Sequence, residues 1–181
     1  MHIFYDFFTP IDISINIWYN FQCYVDITRE VQMKIAIGCD HGGIVLKPAV
    51  EEVLKAKNIE IEDLGCYSTD SVDYPDYALK VAEEVSQGKA DLGIILCGTG
   101  IGISIAANKV KGIRAGVAHD LFTAEMTKRH NNANILAMGG RVVSPELAAQ
   151  MTKIWLETEF EGGRHTNRVN KITAIEQKYF K

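Results

Sequence analysis

Several short stretches of this 181-residue chain set reactive side chains beside glycines, a pairing that lets a ligand approach the backbone closely. The first is Cys39-Asp40-His41-Gly42-Gly43, a carboxylate and an imidazole side by side before two glycines. Asp40 reads as the N-cap of a following helix or as a substrate ligand, and the two roles are compatible. His41 near a helix N-terminus is poorly placed as a cation, which argues for an anion nearby. The second stretch is Leu96-Cys97-Gly98-Thr99-Gly100-Ile101-Gly102-Ile103-Ser104. Its alternate glycines let successive N–H groups aim at one point, and the helix that follows adds its positive end. Such a loop suits a phosphate or an enediolate oxyanion. Cys97, at its head, is either a small buried hydrophobe that closes a strand or a thiol placed to act as a base.

Other candidates lie downstream. His130, in Lys128-Arg129-His130-Asn131-Asn132, ends a helical pattern, where a histidine is favourable with the helix dipole or available for proton transfer. Arg141 follows Gly139-Gly140. Arg164 and Arg168 stand four apart in Glu161-Gly162-Gly163-Arg164-His165-Thr166-Asn167-Arg168, on one helical face. A pair of this kind clamps a phosphate well, although a solvated charged face is the commoner outcome. A dinucleotide fingerprint would need glycine where Ile103 stands, yet Asp120 lies at about the distance of a ribose-binding acid, so a nucleotide-binding module remains a competing reading. The cysteines lack C-x-x-C spacing and there is no H-E-x-x-H, so no metal or redox cofactor is expected.

These loops need elements to hold them. Apolar runs at 34–39, 59–64, 92–97, 113–118 and 134–138 read as strands. Helical patterns at about 43–57, 76–87, 102–109, 120–130, 144–158 and 167–179 lie between and after them. Continuous apolar strands such as Leu92-Gly93-Ile94-Ile95-Leu96 suit a sheet buried on both faces, and the alternation with helices implies right-handed crossovers. The expected fold is a Rossmann-like α/β/α sandwich with a five-stranded parallel sheet, whose ligands sit beyond the carboxyl ends of the strands.

Composition sets outer bounds. A chain of this length fits one domain, and 47% hydrophobic with 23% charged residues is ordinary for a globular protein. A net charge of -4 with no basic stripe argues against nucleic acid, and the cysteines read as reduced cytosolic thiols. Residues 1–32 differ, holding eight of the sixteen aromatic residues but no chemistry. Asp6 and Asp12 interrupt any apolar run, so the segment is neither a signal peptide nor a membrane span. We expect 1–32 to be a dispensable extension, and 33–181 the functional domain; a docked strand over Ile13, Ile15 and Ile17 is the alternative.

Taken together, the motifs resemble the type B ribose-5-phosphate isomerase family of sugar-phosphate isomerases. The residues that carry the resemblance are G-C-D-H-G-G at 38–43, D-Y-P-D-Y-A at 73–78 and C-G-T-G-I-G-I-S-I-A-A-N-K at 97–109. R-H-N-N-A-N-I-L-A-M-G-G-R-V-V at 129–143 and E-G-G-R-H-T-N-R-V at 161–169 complete the set. The resemblance implies a cytoplasmic aldose–ketose isomerase acting on ribose 5-phosphate and ribulose 5-phosphate, with galactose 6-phosphate or allose 6-phosphate as the alternative substrate. It implies Cys97 as base, His130 as the ring-opening group, Thr99 as a proton relay and Asn131 as a substrate ligand. Asp40 and His41 would meet the sugar, and the backbone of Gly98, Thr99, Gly100, Ile101 and Gly102 would hold the anion. Arg141, Arg164 and Arg168 would bind substrate, chiefly its phosphate. It also implies a homodimer or a dimer of dimers, with the phosphate site completed across the subunit interface.

Overall fold

In the computed structural model, which describes residues 32–180, the apolar runs become five parallel strands. These are β1 (Lys34–Cys39), β2 (Glu60–Asp63), β3 (Leu92–Cys97), β4 (Ala115–Val117) and β5 (Ile135–Gly139). The extension expected over residues 1–32 lies outside the described residues except for Gln32, whose side-chain amide donates to the carbonyl of Asn58 at 2.7 Å. The helices are α1 (Lys47–Ala56), α2 (Tyr74–Ser86), α3 (Ile101–Ala107), α4 (Leu121–Arg129), α5 (Pro145–Glu157) and α6 (Arg164–Tyr179). A 3₁₀ turn, Ile44–Leu46, leads into α1, where Pro48 in the first turn has no N–H to place.

Alternation along each strand sorts the core into two layers. Ile35, Ile37, Ile94, Leu96, Leu136 and Met138 point to one face, where Val50, Leu54, Ala124, Met151 and Trp155 from α1, α4 and α5 cover them. Ala36, Ile95, Ile135 and Ala137 point to the other, under Ala78 and Val81 of α2 and Ile103 and Ala107 of α3. Both layers are sealed: Ile35, Leu136 and Trp155 in the first and Ile95, Ile103 and Ile135 in the second are fully buried. Burial of each such side chain contributes about 1.5–3 kcal/mol. The three-layer α/β/α expectation therefore holds.

The strand order is β2-β1-β3-β5-β4. The chain leaves β1 for β2 on one side, then returns to place β3 on the other, so β1 and β3 flank the point where the order reverses. The backbones beyond the carboxyl ends of β1, β3 and β5 also interlock. The Asp40 N–H donates to the Leu96 carbonyl at 3.0 Å, and the Gly140 N–H to the Cys97 carbonyl at 2.8 Å. A Cβ on Gly43 would lie 2.3 Å from the Leu96 carbonyl carbon, and one on Gly139 would lie 2.5 Å from that of Thr99. These three loops pack main chain on main chain.

The sequence reading overextends β4. Its ends mix main-chain and side-chain bonds: the Ala118 N–H donates to the Ala137 carbonyl at 3.0 Å, Asn134 Oδ1 accepts from the Arg114 N–H at 2.8 Å, and Asn108 bonds both the N–H and the carbonyl of Ala115. Helix α6 begins three residues earlier than expected, after Gly162 and Gly163 turn at φ of 70° and 55°. Its first two turns therefore carry both Arg164 and Arg168. Among the described residues, no helix is long and apolar enough to cross a membrane.

Candidate active site

The interlocked loops line a cleft of about 400 Å³ formed by Asp40, His41, Tyr74, Cys97, Gly98, Thr99, Ile101, Gly102 and Arg141. Cys97 closes β3 beside Gly139 of β5 and is 4% exposed. Its Sγ accepts a hydrogen bond from the Gly100 N–H at 3.1 Å. That bond depends on the turn at Gly100, which sits at φ 79°, a left-handed conformation that favours glycine. Gly100 itself is buried behind the cleft wall, so its role is to aim an N–H at the thiol. The exposed Thr99 accepts from the Ile101 N–H at 3.3 Å. The first turn of α3 leaves the N–H groups of Gly102 and Ile103 without intrahelical acceptors, as expected at a helix start.

Asp40 is 5% exposed and is not the helix N-cap that the sequence suggests: Gly43 precedes the 3₁₀ turn and Leu46 precedes α1, neither with a side-chain cap, and Asp40 instead closes the turn before them. Its Oδ1 accepts from the N–H groups of Gly42 and Gly43 at 2.8 and 2.9 Å, and its other oxygen has no protein donor among the described residues. The Nδ1 of His41 accepts from the Val72 N–H at 3.2 Å. That nitrogen carries a lone pair, which leaves the ring N–H on Nε2. The Arg141 guanidinium runs along Gly98, and the Arg141 backbone N–H donates to the Gly98 carbonyl at 3.0 Å.

Tyr74 received no role from the sequence. It stands at the start of α2 after the N-cap position Asp73, and its ring crosses Gly102 so closely that a Cβ there would lie 2.7 Å from the ring carbon Cζ. Gly102 thus makes room for an aromatic neighbour, a purpose that an anion-binding reading of the glycines could not supply. The usable signal was an aromatic residue at a helix start, just ahead of Pro75.

His130, Asn131, Arg164 and Arg168 are not among the residues lining the Cys97 cleft. His130 ends α4 and stacks on His165, with ring centroids 4.2 Å apart and planes 5° from parallel. Glu161 lies 3.9 Å from the Nε2 of each ring. Arg129 donates to the Glu161 carboxylate at 3.0 Å and holds its carboxyl below the usual range. Burial, followed by the charges of His130 and Arg164, holds the His165 imidazole below its ordinary value. Arg168 follows one turn after Arg164. Asn131 faces a separate cavity of about 220 Å³ with Arg114, Thr127 and Ile172. Glu161 and His165 also went unassigned, though their i,i+4 spacing with the two glycines between was readable.

His130, Glu161 and His165 bring potential metal-ligating atoms within 4.8 Å of one another. The charges around them suit the opposite sign. The Arg164 Nε donates to the His165 Nε2 at 3.3 Å, and Arg129 occupies the carboxylate. With Arg168 nearby, the surface presents converging cation donors, which fits an anion better than a cation.

Comparison with known proteins adds to this geometry. A family model described as Ribose/Galactose Isomerase matches residues 35–172. The chain is 50% identical over 145 residues to ribose-5-phosphate isomerase B of Escherichia coli, covering 80% of this chain and 97% of that one. The structure of Clostridium thermocellum ribose-5-phosphate isomerase B superposes with a TM-score of 0.79 at 55% identity, covering 81% of this chain and 99% of that one. That of the Mycoplasma genitalium ribose-5-phosphate isomerase B with bound ribulose-5-phosphate gives 0.77 at 40% identity, covering 81% and 97%. A thiol at the head of a glycine loop, an acid and an imidazole across from it, and a match over most of the fold lead to one conclusion: this chain belongs to the ribose/galactose isomerase family.

Proposed function

We propose that this protein interconverts ribose 5-phosphate and ribulose 5-phosphate through an enediolate, with Cys97 as the base. The observation that carries this reading is Cys97 itself, in a cleft it shares with Asp40, His41, Thr99 and Arg141, with the Gly100 N–H directed at its sulfur. The open aldose loses its C2 proton to the Cys97 thiolate. Charge then develops on the sugar oxygens, and the N–H groups of the 98–102 loop meet it; donors of this kind are worth about 3–4 kcal/mol each in comparable oxyanion holes. Thr99, exposed in the same loop, relays the proton between the two oxygens, and the proton returns to C1 to give the ketose. Asp40 and His41 bind the sugar hydroxyls, with the His41 Nε2–H as donor. Arg141 binds along the loop.

Ring opening is assigned to His130 and phosphate binding chiefly to Arg164 and Arg168, with Asn131 as a substrate ligand. These residues are absent from the lining of the Cys97 cleft, which supports a homodimer, or a dimer of dimers, in which one subunit supplies the base and its partner the phosphate clamp. The proposed setting is the cytoplasm, where the buried free thiols Cys39, Cys66 and Cys97 stay reduced.

The test is direct. The purified protein should convert ribose 5-phosphate to ribulose 5-phosphate, and Cys97→Ser should lose nearly all turnover, because a hydroxyl is too weakly acidic to supply the base. Faster conversion of galactose 6-phosphate or allose 6-phosphate would overturn the pentose assignment. More than a tenth of wild-type turnover in the serine variant would remove Cys97 from the mechanism.

A further inference from the structure

Two other cysteines stand behind the cleft, on the face of the sheet opposite Cys97. Cys39 ends β1 and is fully buried; Cys66, 5% exposed, lies in the irregular loop that joins β2 to α2. The Cys66 N–H donates to the Cys39 carbonyl at 3.0 Å, and the Cys39 Sγ lies 3.6 Å from the Cys66 carbonyl oxygen. The β1–β2 register, carried on from Ile37 and Asp63, sets Gly65 opposite Cys39 and makes Cys66 its diagonal neighbour, and both cysteine side chains lie in one buried cluster; a disulfide spans roughly 4.4–6.8 Å between Cα atoms. Gly65 clears the space between them, since a Cβ there would lie 2.8 Å from the Cys39 Sγ. Burial, then the neighbouring Cys66 thiol, pushes the Cys39 thiol up to about 12, and the Lys47 ammonium opposes this. Cys97 packs in the other layer and is screened from the pair by the sheet.

The position of the pair matters. Cys39 is covalently joined to Asp40 and His41. From Cys66 the loop runs to Val72, whose N–H bonds His41, and on to Tyr74 on the cleft wall. The residues between, Tyr67 to Ser71, are exposed and outside regular structure, so local opening there uncovers Cys66 first.

We propose that Cys39 and Cys66 form a reversible disulfide under peroxide, and that this bond lowers the activity of the adjoining site. The Cys66 thiol takes an oxygen atom from the peroxide, giving a sulfenic acid and water. The Cys39 sulfur then attacks the Cys66 sulfur; the S–O bond breaks, and the hydroxide leaves as water with the Cys39 proton. Two thiols have given up two electrons to the peroxide. Closing the sulfurs to about 2.05 Å pulls the 65–72 loop toward β1 and disturbs the Val72–His41 bond.

The chemistry can be read without any substrate. Full-length Cys97→Ser protein is treated with hydrogen peroxide, remaining thiols are alkylated, and the digest is mapped by mass spectrometry. The expected product is a cross-linked peptide holding Cys39 and Cys66, two hydrogens lighter than its parts and released by dithiothreitol. In wild-type enzyme, at least a fivefold loss of ribose 5-phosphate turnover should be recovered with dithiothreitol, and Cys66→Ala should keep basal activity but show no recoverable fraction. Alkylation of both cysteines after peroxide, a link to Cys23 instead, or an equal recoverable fraction in Cys66→Ala would overturn the proposal. A protein that forms the link but never isomerised ribose 5-phosphate would refute the assigned reaction while leaving the disulfide standing.

Discussion

Gly102→Ala separates a glycine needed by the backbone from one needed by a neighbour. Gly102 lies in the first turn of α3, so its backbone accepts alanine, which favours a helix by up to about 1 kcal/mol. The new Cβ would stand 2.7 Å from Tyr74 Cζ and 2.9 Å from its hydroxyl oxygen, where carbon atoms normally rest about 3.5–4.0 Å apart. The ring must therefore retreat by about 1 Å. Tyr74 is 39% exposed and can move, at a cost of about 0.5–1.5 kcal/mol for a displaced rotamer. The two terms nearly cancel, so the melting temperature should shift by no more than about 4 °C. Activity should not be spared. A displacement of about 1 Å in a positioning group can cost up to a hundredfold, and we expect kcat/KM for ribose 5-phosphate to fall about 10- to 100-fold. In a Tyr74→Ser background the space is open, and adding Gly102→Ala should cost less than threefold. Thermal unfolding and a ribulose 5-phosphate absorbance assay measure both. Wild-type kcat/KM in Gly102→Ala, or an equal penalty in the two backgrounds, would refute the assignment of this glycine to Tyr74.

Mixing Arg168→Ala with Cys97→Ser protein under subunit exchange should restore part of the activity that each lacks; confirmed exchange without recovery would place both groups on one chain. His130→Asn should reduce turnover of the cyclic sugar far more than that of a short acyclic analogue, and equal losses would assign His130 another task. Asp120 caps α4 by accepting from the Thr123 N–H at 2.7 Å, and that bond, with the Thr123 hydroxyl, holds its carboxyl below the ordinary value. A depressed folded-state value means that the stabilisation is present above the unfolded value near 4 and is lost as pH falls through the folded one. Asp120→Ala should thus melt a few degrees below wild type at pH 7, with the gap closing below about pH 4; a constant gap across that range would deny the carboxylate its part.

Legibility in the sequence followed locality. β1 and β3 keep their expected limits because an apolar run bounded by Asp40 or Gly98 is a local signal. β4 is shorter than its apolar run because the Arg114 N–H goes to the Asn134 side chain, a partner that another segment supplies. The loop around Cys97 could be recognised as a ligand site, since glycine spacing and a thiol at a strand end are both written in one short stretch. Tyr74 could not be placed over Gly102, because that contact exists only once α2 and α3 pack side by side. Nor could spacing alone separate the cleft residues from the His130–His165 stack, for no periodicity reveals which strand ends become neighbours.

The main-chain packing of the loops after β1, β3 and β5 bears on how such a site can change over generations. Where Gly43 and Gly139 admit no Cβ, there is no side chain to exchange, so single substitutions cannot reshape the floor by degrees. Variation is channelled to the rim, where Tyr74, Ile101 and Arg141 are exposed and can be replaced one at a time. A lineage built on this frame would hold its proton-transfer chemistry nearly fixed while exploring sugars of different length. New reactions at the same floor would demand several coordinated replacements, a step that drift seldom takes.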